Sequence, residues 1–183
     1  DINAQVKDNL VKIAKALNKD VDDLVVFVLE KPRHHGLIQE IRDAGARIQL
    51  HTDGDVAGAL MVVDPRSPVD VMIGTGGTPE GVLSACAIRI MGGEMFAKFD
   101  PQSESEKAAL EDQGYDLRNI MTVNDLVKSD DIFFSATGIS GGTFLRGVRY
   151  LGYGAETTSL VMRGKTGTVR HIEAVHTWDK LMK

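Results

Sequence analysis

Four short segments of this sequence set charged or hydroxyl-bearing residues beside glycine or proline, where side chains can grip a ligand while the main chain comes close to it. Glu30-Lys31-Pro32-Arg33-His34-His35 offers two fixed cations. An arginine holds a phosphate through two parallel hydrogen bonds, and a lysine holds it as a point charge. His51-Thr52-Asp53-Gly54-Asp55 offers two carboxylates flanking a glycine, suited to accepting hydrogen bonds from sugar hydroxyls or to ligating a hard cation. Ile73-Gly74-Thr75-Gly76-Gly77-Thr78-Pro79-Glu80-Gly81 reads as a glycine-rich turn opening a helix, with Pro79 at its first position. Free N–H groups at a helix start make an anion site, and the glycines let the anion approach. Ser135-Ala136-Thr137-Gly138-Ile139-Ser140-Gly141-Gly142 brings hydroxyls and a pliable backbone but no acid or base, and reads as a structural or ligand-edge turn.

Each segment also has a plainer reading. Lys31 and Arg33 make a solvated basic turn, Asp53 to Asp55 an Asx-type turn whose last residue caps a helix, and Glu80 a carboxylate that complements a helix dipole. Glu80 is the informative case, because a carboxylate beside a bound phosphate raises the electrostatic energy unless a divalent cation lies between them. His34 and His35 carry little weight, since adjacent histidines do not make a metal-ligand pair on a helix. The glycine-rich turn is no Walker loop, lacking Gly-Lys-Ser/Thr, and does not fit a dinucleotide fingerprint. No Ser/His/Asp arrangement is supported, and one cysteine does not support zinc.

These segments follow apolar runs. Leu24 to Leu29 is a continuous β-branched stretch, as expected of a strand covered on both faces; strands are also predicted over 46–50, 69–73 and 132–136. Helices are predicted over 35–44, 56–61 and 80–91, with a polar surface helix over 100–114 and a short one that Thr122 to Asp125 could cap. Ile2, Val6, Leu10, Ile13 and Leu17 recur at helical spacing and share one face of a first helix. Alternating strand and helix favours an α/β layer with mainly parallel strands, in which ligands sit beyond the carboxyl ends of the strands. A hairpin closes the chain, with 158–163 and 168–172 as its arms and Gly164-Lys165-Thr166-Gly167 as its turn.

With 183 residues, 43% hydrophobic residues and 26% charged, the chain can bury a real core as one domain. A net charge of −5 and the absence of a basic stripe argue against nucleic acid as a partner. No apolar stretch reaches the roughly 20 residues that span a bilayer, and the first residues do not read as a signal peptide. The lone Cys86 lies in an apolar run and reads as core packing, so a reducing, cytoplasmic setting is expected. The missing initiator methionine suggests a piece of something longer.

In order and spacing, Lys31-Pro32-Arg33-His34, Asp53-Gly54-Asp55-Val56, Gly76-Gly77-Thr78-Pro79-Glu80-Gly81-Val82 and Phe134-Ser135-Ala136-Thr137-Gly138-Ile139 resemble the C-terminal half of class II, bacterial-type fructose-1,6-bisphosphatases. The likeness runs over the whole chain, and Arg163-Gly164-Lys165 with Thr168-Val169-Arg170 looks like the family's final hairpin. His35 stands where Asp is more frequent, and Thr78 where Ala is common. The resemblance implies the layered sugar-phosphatase fold of the lithium-sensitive phosphatases. It implies substrate contacts at Lys31, Pro32, Arg33, Asp53, Gly54, Asp55 and Gly77, and a divalent-metal ligand, for Mn or Mg, at Glu80. The implied reaction is hydrolysis of the 1-phosphate of fructose 1,6-bisphosphate, in gluconeogenesis, by a homo-oligomer. The family's acidic cluster and its Asp-Pro-x-Asp/Glu-Gly-Thr motif belong to an N-terminal half that is not in this sequence, so residues 1–183 are expected to be the substrate-binding half and inactive alone. A dual activity on sedoheptulose 1,7-bisphosphate, an inositol-monophosphatase-like activity and a non-catalytic sugar-phosphate-binding domain are the alternatives.

Overall fold

The computed structural model describes residues 1–142 and 144–181. The chain opens with α1 (Val6–Leu17), whose Leu10 and Ala14 are buried while Leu17, next to the left-handed Asn18 that ends the helix, is 46% exposed. The predicted apolar stripe therefore seats only its middle.

A parallel three-stranded sheet follows, built from β1 (Val25–Leu29), β2 (Arg47–His51) and β3 (Val71–Met72) in the order β2-β1-β3. Between them run α2 (His35–Ala44) and α3 (Asp55–Val63). The alternation along β1 explains the layering. Val26 and Val28 face α1 and α2, packing with Leu10, Ala14, Ile38 and Ile41. Phe27 and Leu29 face the other way, onto Met61 of α3 and onto Val69. Both faces of β1 are covered, which is why its sequence reads as an unbroken apolar run. The third strand is shorter than the predicted 69–73, although the Asp70 and Ile73 N–H groups still donate to the Val25 and Phe27 carbonyls of β1; the Asp70 carboxylate accepts from the Val25 N–H and the Lys19 ammonium.

The helix α4 (Thr78–Met91) lies beside α3 and carries the chain to a second, larger sheet. The intervening segment forms β4 (Phe96–Ala97) and β5 (Met121–Thr122), α5 (Glu104–Asp112), capped by the Ser103 hydroxyl, and the single turn α6 (Val123–Leu126), begun by Thr122. The second sheet comprises β6 (Phe133–Thr137), β7 (Arg149–Leu151), β8 (Gly154–Arg163) and β9 (Thr168–Thr177), all antiparallel. Phe134, Leu160 and Met162 of its inner face pack with Leu60 of α3 and Ala87 of α4. The molecule is thus layered helix, parallel sheet, helix, antiparallel sheet.

The expectation of mainly parallel strands holds at the first sheet and is corrected at the second. Parallel neighbours need a long crossover, whereas β7, β8 and β9 are joined by tight turns that only antiparallel pairing accepts. The closing hairpin is also longer than predicted, with ten residues in each arm. Cys86 is only partly buried, beside the second core, and desolvation pushes its thiol pKa up. No helix among the described residues is long and apolar enough to cross a membrane.

Candidate functional site

In the order β2-β1-β3, the chain leaves β1 toward one neighbour and reaches β3 on the other side, so the turns after β1 and β3 flank the point where connections diverge. Open α/β sheets place ligands there, beyond the carboxyl ends of the strands. Three of the four predicted segments meet at this point.

After β1, Pro32 opens a one-turn 3₁₀ helix (Pro32–His34) that leads directly into α2. Its proline sets the first φ and lacks the N–H that would be orphaned. Arg33 donates Nε–H to the Thr75 carbonyl at 2.8 Å, which leaves its two terminal nitrogens without a partner among the described residues. Lys31 Nζ lies 2.8 Å from Asp53 Oδ1, so the cation of the first segment and the first carboxylate of the second form an ion pair. Asp53 is 84% exposed at its side chain, and an open pair of this kind exchanges readily for a ligand.

After β2, Gly54 takes φ 105° and ψ 54°, a left-handed conformation that favours glycine, and makes the N-cap of α3. Asp55 is therefore the first helical residue and not the cap. Its Oδ2 would lie 2.8 Å from a Cβ built on Gly76, so the bare glycine permits the close approach. Burial pushes the Asp55 carboxyl above its ordinary range, Arg33 opposes that rise, and Glu80 adds to it. His34 and Lys31 pull the other way more weakly.

After β3, the turn Gly74–Gly77 leads into α4 with Gly77 as N-cap. Pro79 is the second helical residue, one place later than predicted, because Thr78 already has helical geometry. The N–H groups of Gly76 and Gly77 have no acceptor among the described residues. The Glu80 carboxylate curls back over the helix start, where a Cβ on Gly77 would collide with Oε2. Two carboxylates from different helices, Asp55 and Glu80, thus converge on the Gly76-Gly77 backbone. Hard oxygen donors facing one another suit Mg or Mn better than a transition metal that prefers nitrogen or sulfur.

Sequence reasoning passed over three members of the site. His34, given little weight together with His35, is 3% exposed and bonds the glycine turn, whereas His35 is exposed. Thr75 and Asp100 are joined by a hydroxyl-to-carboxylate bond of 2.8 Å. Nothing local marks His34 as buried or pairs Asp100 with a turn 25 residues earlier. The fourth segment ends β6 and lies in the second sheet, with Thr137 bonded to Ser159 of β8. Elsewhere among the described residues, Asp20, Asp22 and Asp23 have ligand atoms close enough to share one ion, but they are exposed at the opposite end of β1 and Arg47 pairs with Asp23.

The model of the family described as bacterial fructose-1,6-bisphosphatase, glpX-encoded, matches residues 1–176. The chain belongs to this family. It is 38% identical to the class 2 fructose-1,6-bisphosphatase of Haemophilus influenzae over 100% of its own length and 59% of the relative's. To fructose-1,6-bisphosphatase 1 class 2 of Escherichia coli K12 it is 37% identical, over 98% of its length and 57% of the relative's. The chain therefore spans somewhat more than half of these bacterial bisphosphatases. Three of the four strand-end turns that carried the resemblance are gathered by the fold at the switch point, and the fourth lies in the second sheet.

Proposed function

We propose that this chain is the substrate-binding half of a metal-dependent class II fructose-1,6-bisphosphatase of the lithium-sensitive phosphatase fold, and that the whole enzyme releases the 1-phosphate of fructose 1,6-bisphosphate. The observation that supports this most directly is the convergence of Arg33, Asp55 and Glu80 on one glycine turn. Arg33, anchored through Nε, presents its outer nitrogens to a phosphate of the substrate, and the Gly76 and Gly77 N–H groups add main-chain donors. Lys31 exchanges Asp53 for the ligand's charge, which frees Asp53, with Asp55, to accept from sugar hydroxyls. Pro32 and Gly54 hold the two turns in shape.

Glu80 would hold the Mn or Mg ion, beside Asp55. The fit rests on the electrostatics already described: two facing carboxylates and an anionic ligand are stable together only with a cation between them. When bound, that ion neutralises charge on the phosphoryl oxygens and supplies an activated water. Two carboxylates do not complete a coordination sphere, so the remaining ligands come from the other half of the enzyme.

The test is phosphate release from fructose 1,6-bisphosphate by the full-length protein with Mn present. Glu80→Ala should lower kcat by about 100-fold or more, as expected for losing a metal ligand; undiminished turnover removes Glu80 from the mechanism. Arg33→Ala should raise KM by about 10- to 100-fold, the worth of one charge-assisted hydrogen-bonded contact. An unchanged KM would show that Arg33 does not touch the phosphate.

A further inference from the structure

The turn that meets the ligand is held at a single residue from three directions. Thr75 donates its N–H to His34 Nε2 at 2.8 Å, its carbonyl accepts from Arg33 Nε at 2.8 Å, and its hydroxyl donates to Asp100 Oδ2 at 2.8 Å. Every polar atom of Thr75 is engaged. A main-chain N–H can only donate, so Nε2 of His34 is an acceptor and the ring proton resides on Nδ1. That Nδ1–H points to the Leu29 carbonyl, 2.7 Å away, at the last residue of β1. The imidazole is a buried strut between the end of the central strand and the glycine turn. A Cβ on Gly74 would lie 3.2 Å from its Cε1, so the turn packs directly against the imidazole.

We propose that His34 is a positioning residue for substrate binding: through Thr75 it fixes the Gly74–Gly77 backbone so that the Gly76 and Gly77 N–H groups and the outer nitrogens of Arg33 engage one phosphate together. Arg33 grips the next peptide unit, through the carbonyl of the same residue, so a displaced Thr75 moves the arginine as well as the turn. His34 itself touches no ligand in this arrangement. The inference rests on the bisphosphatase reading, and it divides the two bonds of the ring into a fold-holding one, to Leu29, and a site-holding one, to Thr75.

Two substitutions separate these bonds. Glutamine places its amide oxygen near the position of Nε2 and can still accept from Thr75, whereas asparagine places its amide nitrogen near Nδ1 and can still donate to Leu29. In the full-length enzyme with Mn, His34→Gln should keep KM for fructose 1,6-bisphosphate within about threefold of wild type. His34→Asn should raise it by about tenfold or more, with kcat less affected, on the scale of one ordered hydrogen bond. A purely structural histidine gives the reverse order or no difference, and either result overturns the proposal. Should neither variant fold, the wild-type protein decides the question by ¹⁵N NMR of the histidine ring. The neutral Nδ1–H tautomer, with an Nε2 resonance and a Thr75 amide that both shift on adding fructose 6-phosphate, is expected. The opposite tautomer, or resonances indifferent to fructose 6-phosphate, would overturn it. A wild-type enzyme that releases no phosphate defeats the bisphosphatase reading instead, and so the two failures are distinct.

Discussion

Asp55 shows how a single residue can be set against the stability of its own fold. It is half-buried, its carboxylate has no hydrogen bond among the described residues, and burial pushes its pKa upward with Glu80 adding to the rise. A carboxyl whose folded pKa exceeds its unfolded value binds its proton more tightly when folded. Its ionised form therefore costs stability above the folded pKa, and that cost fades as the pH falls through it. Asp55→Asn in the metal-free, full-length protein should accordingly melt at a higher temperature than wild type at pH 7, with the difference shrinking as the pH approaches 4. The same variant should lose at least about tenfold in kcat/KM, because it removes a charged acceptor from the site. A lower Tm at pH 7 would mean that the carboxylate is stabilised by contacts the geometry does not contain. Of the residues at this scale, Lys31, Arg33, Asp55 and Glu80 were legible because charge beside glycine or proline after an apolar run is a local pattern. His34 was not, since its burial is decided by where the β3 turn packs, some 40 residues further along the chain.

At the scale of elements, legibility followed burial. β1 reads clearly because both faces are covered, and α2 because Ile38 and Ile41 point into the core it shares with α1. β9 extends to Thr177 although its sequence mixes His171, Glu173 and His176 with apolar residues, for an edge strand is held by its ladder to β8 more than by its side chains. The two-residue strands β4 and β5 have no sequence signature at all. Gly58 exposes a further constraint. It sits mid-helix in α3, where glycine costs about 1 kcal/mol relative to alanine, yet a Cβ there would collide with the ring of Phe27, 1% exposed and stacked on His51 at 4.5 Å. Overpacking costs about 1–3 kcal/mol and exceeds the propensity gain. Gly58→Ala should lower Tm by roughly 2–8 °C, read by a thermal melt, and a rise would show that α3 can lift off the sheet without penalty.

At the scale of the whole chain, these 183 residues carry a net charge of −5, yet the ligand proposed for them is a bisphosphate, so attraction has to be local. Lys31 and Arg33 supply it at the carboxyl end of β1, while the acidic Asp20, Asp22 and Asp23 lie at the amino end of the same strand. The three hydrophobic clusters close within the chain, around α1 and α2, around α3 and Val69, and between α4 and the second sheet. On the proposed reading, the phosphate-gripping groups lie within this chain, whereas Glu80 and Asp55, converging on one turn, supply only part of a metal site. The consequence is a separation of binding from turnover. By calorimetry, the chain alone should bind fructose 6-phosphate in a manner that Arg33→Ala weakens by about tenfold or more and that added Mn changes less than about twofold. It should release no phosphate from fructose 1,6-bisphosphate, while the full-length enzyme does so in the same buffer. Mn-dependent phosphate release by residues 1–183 alone would place a working metal site within this half, and Asp55 with Glu80 would then have to be its core.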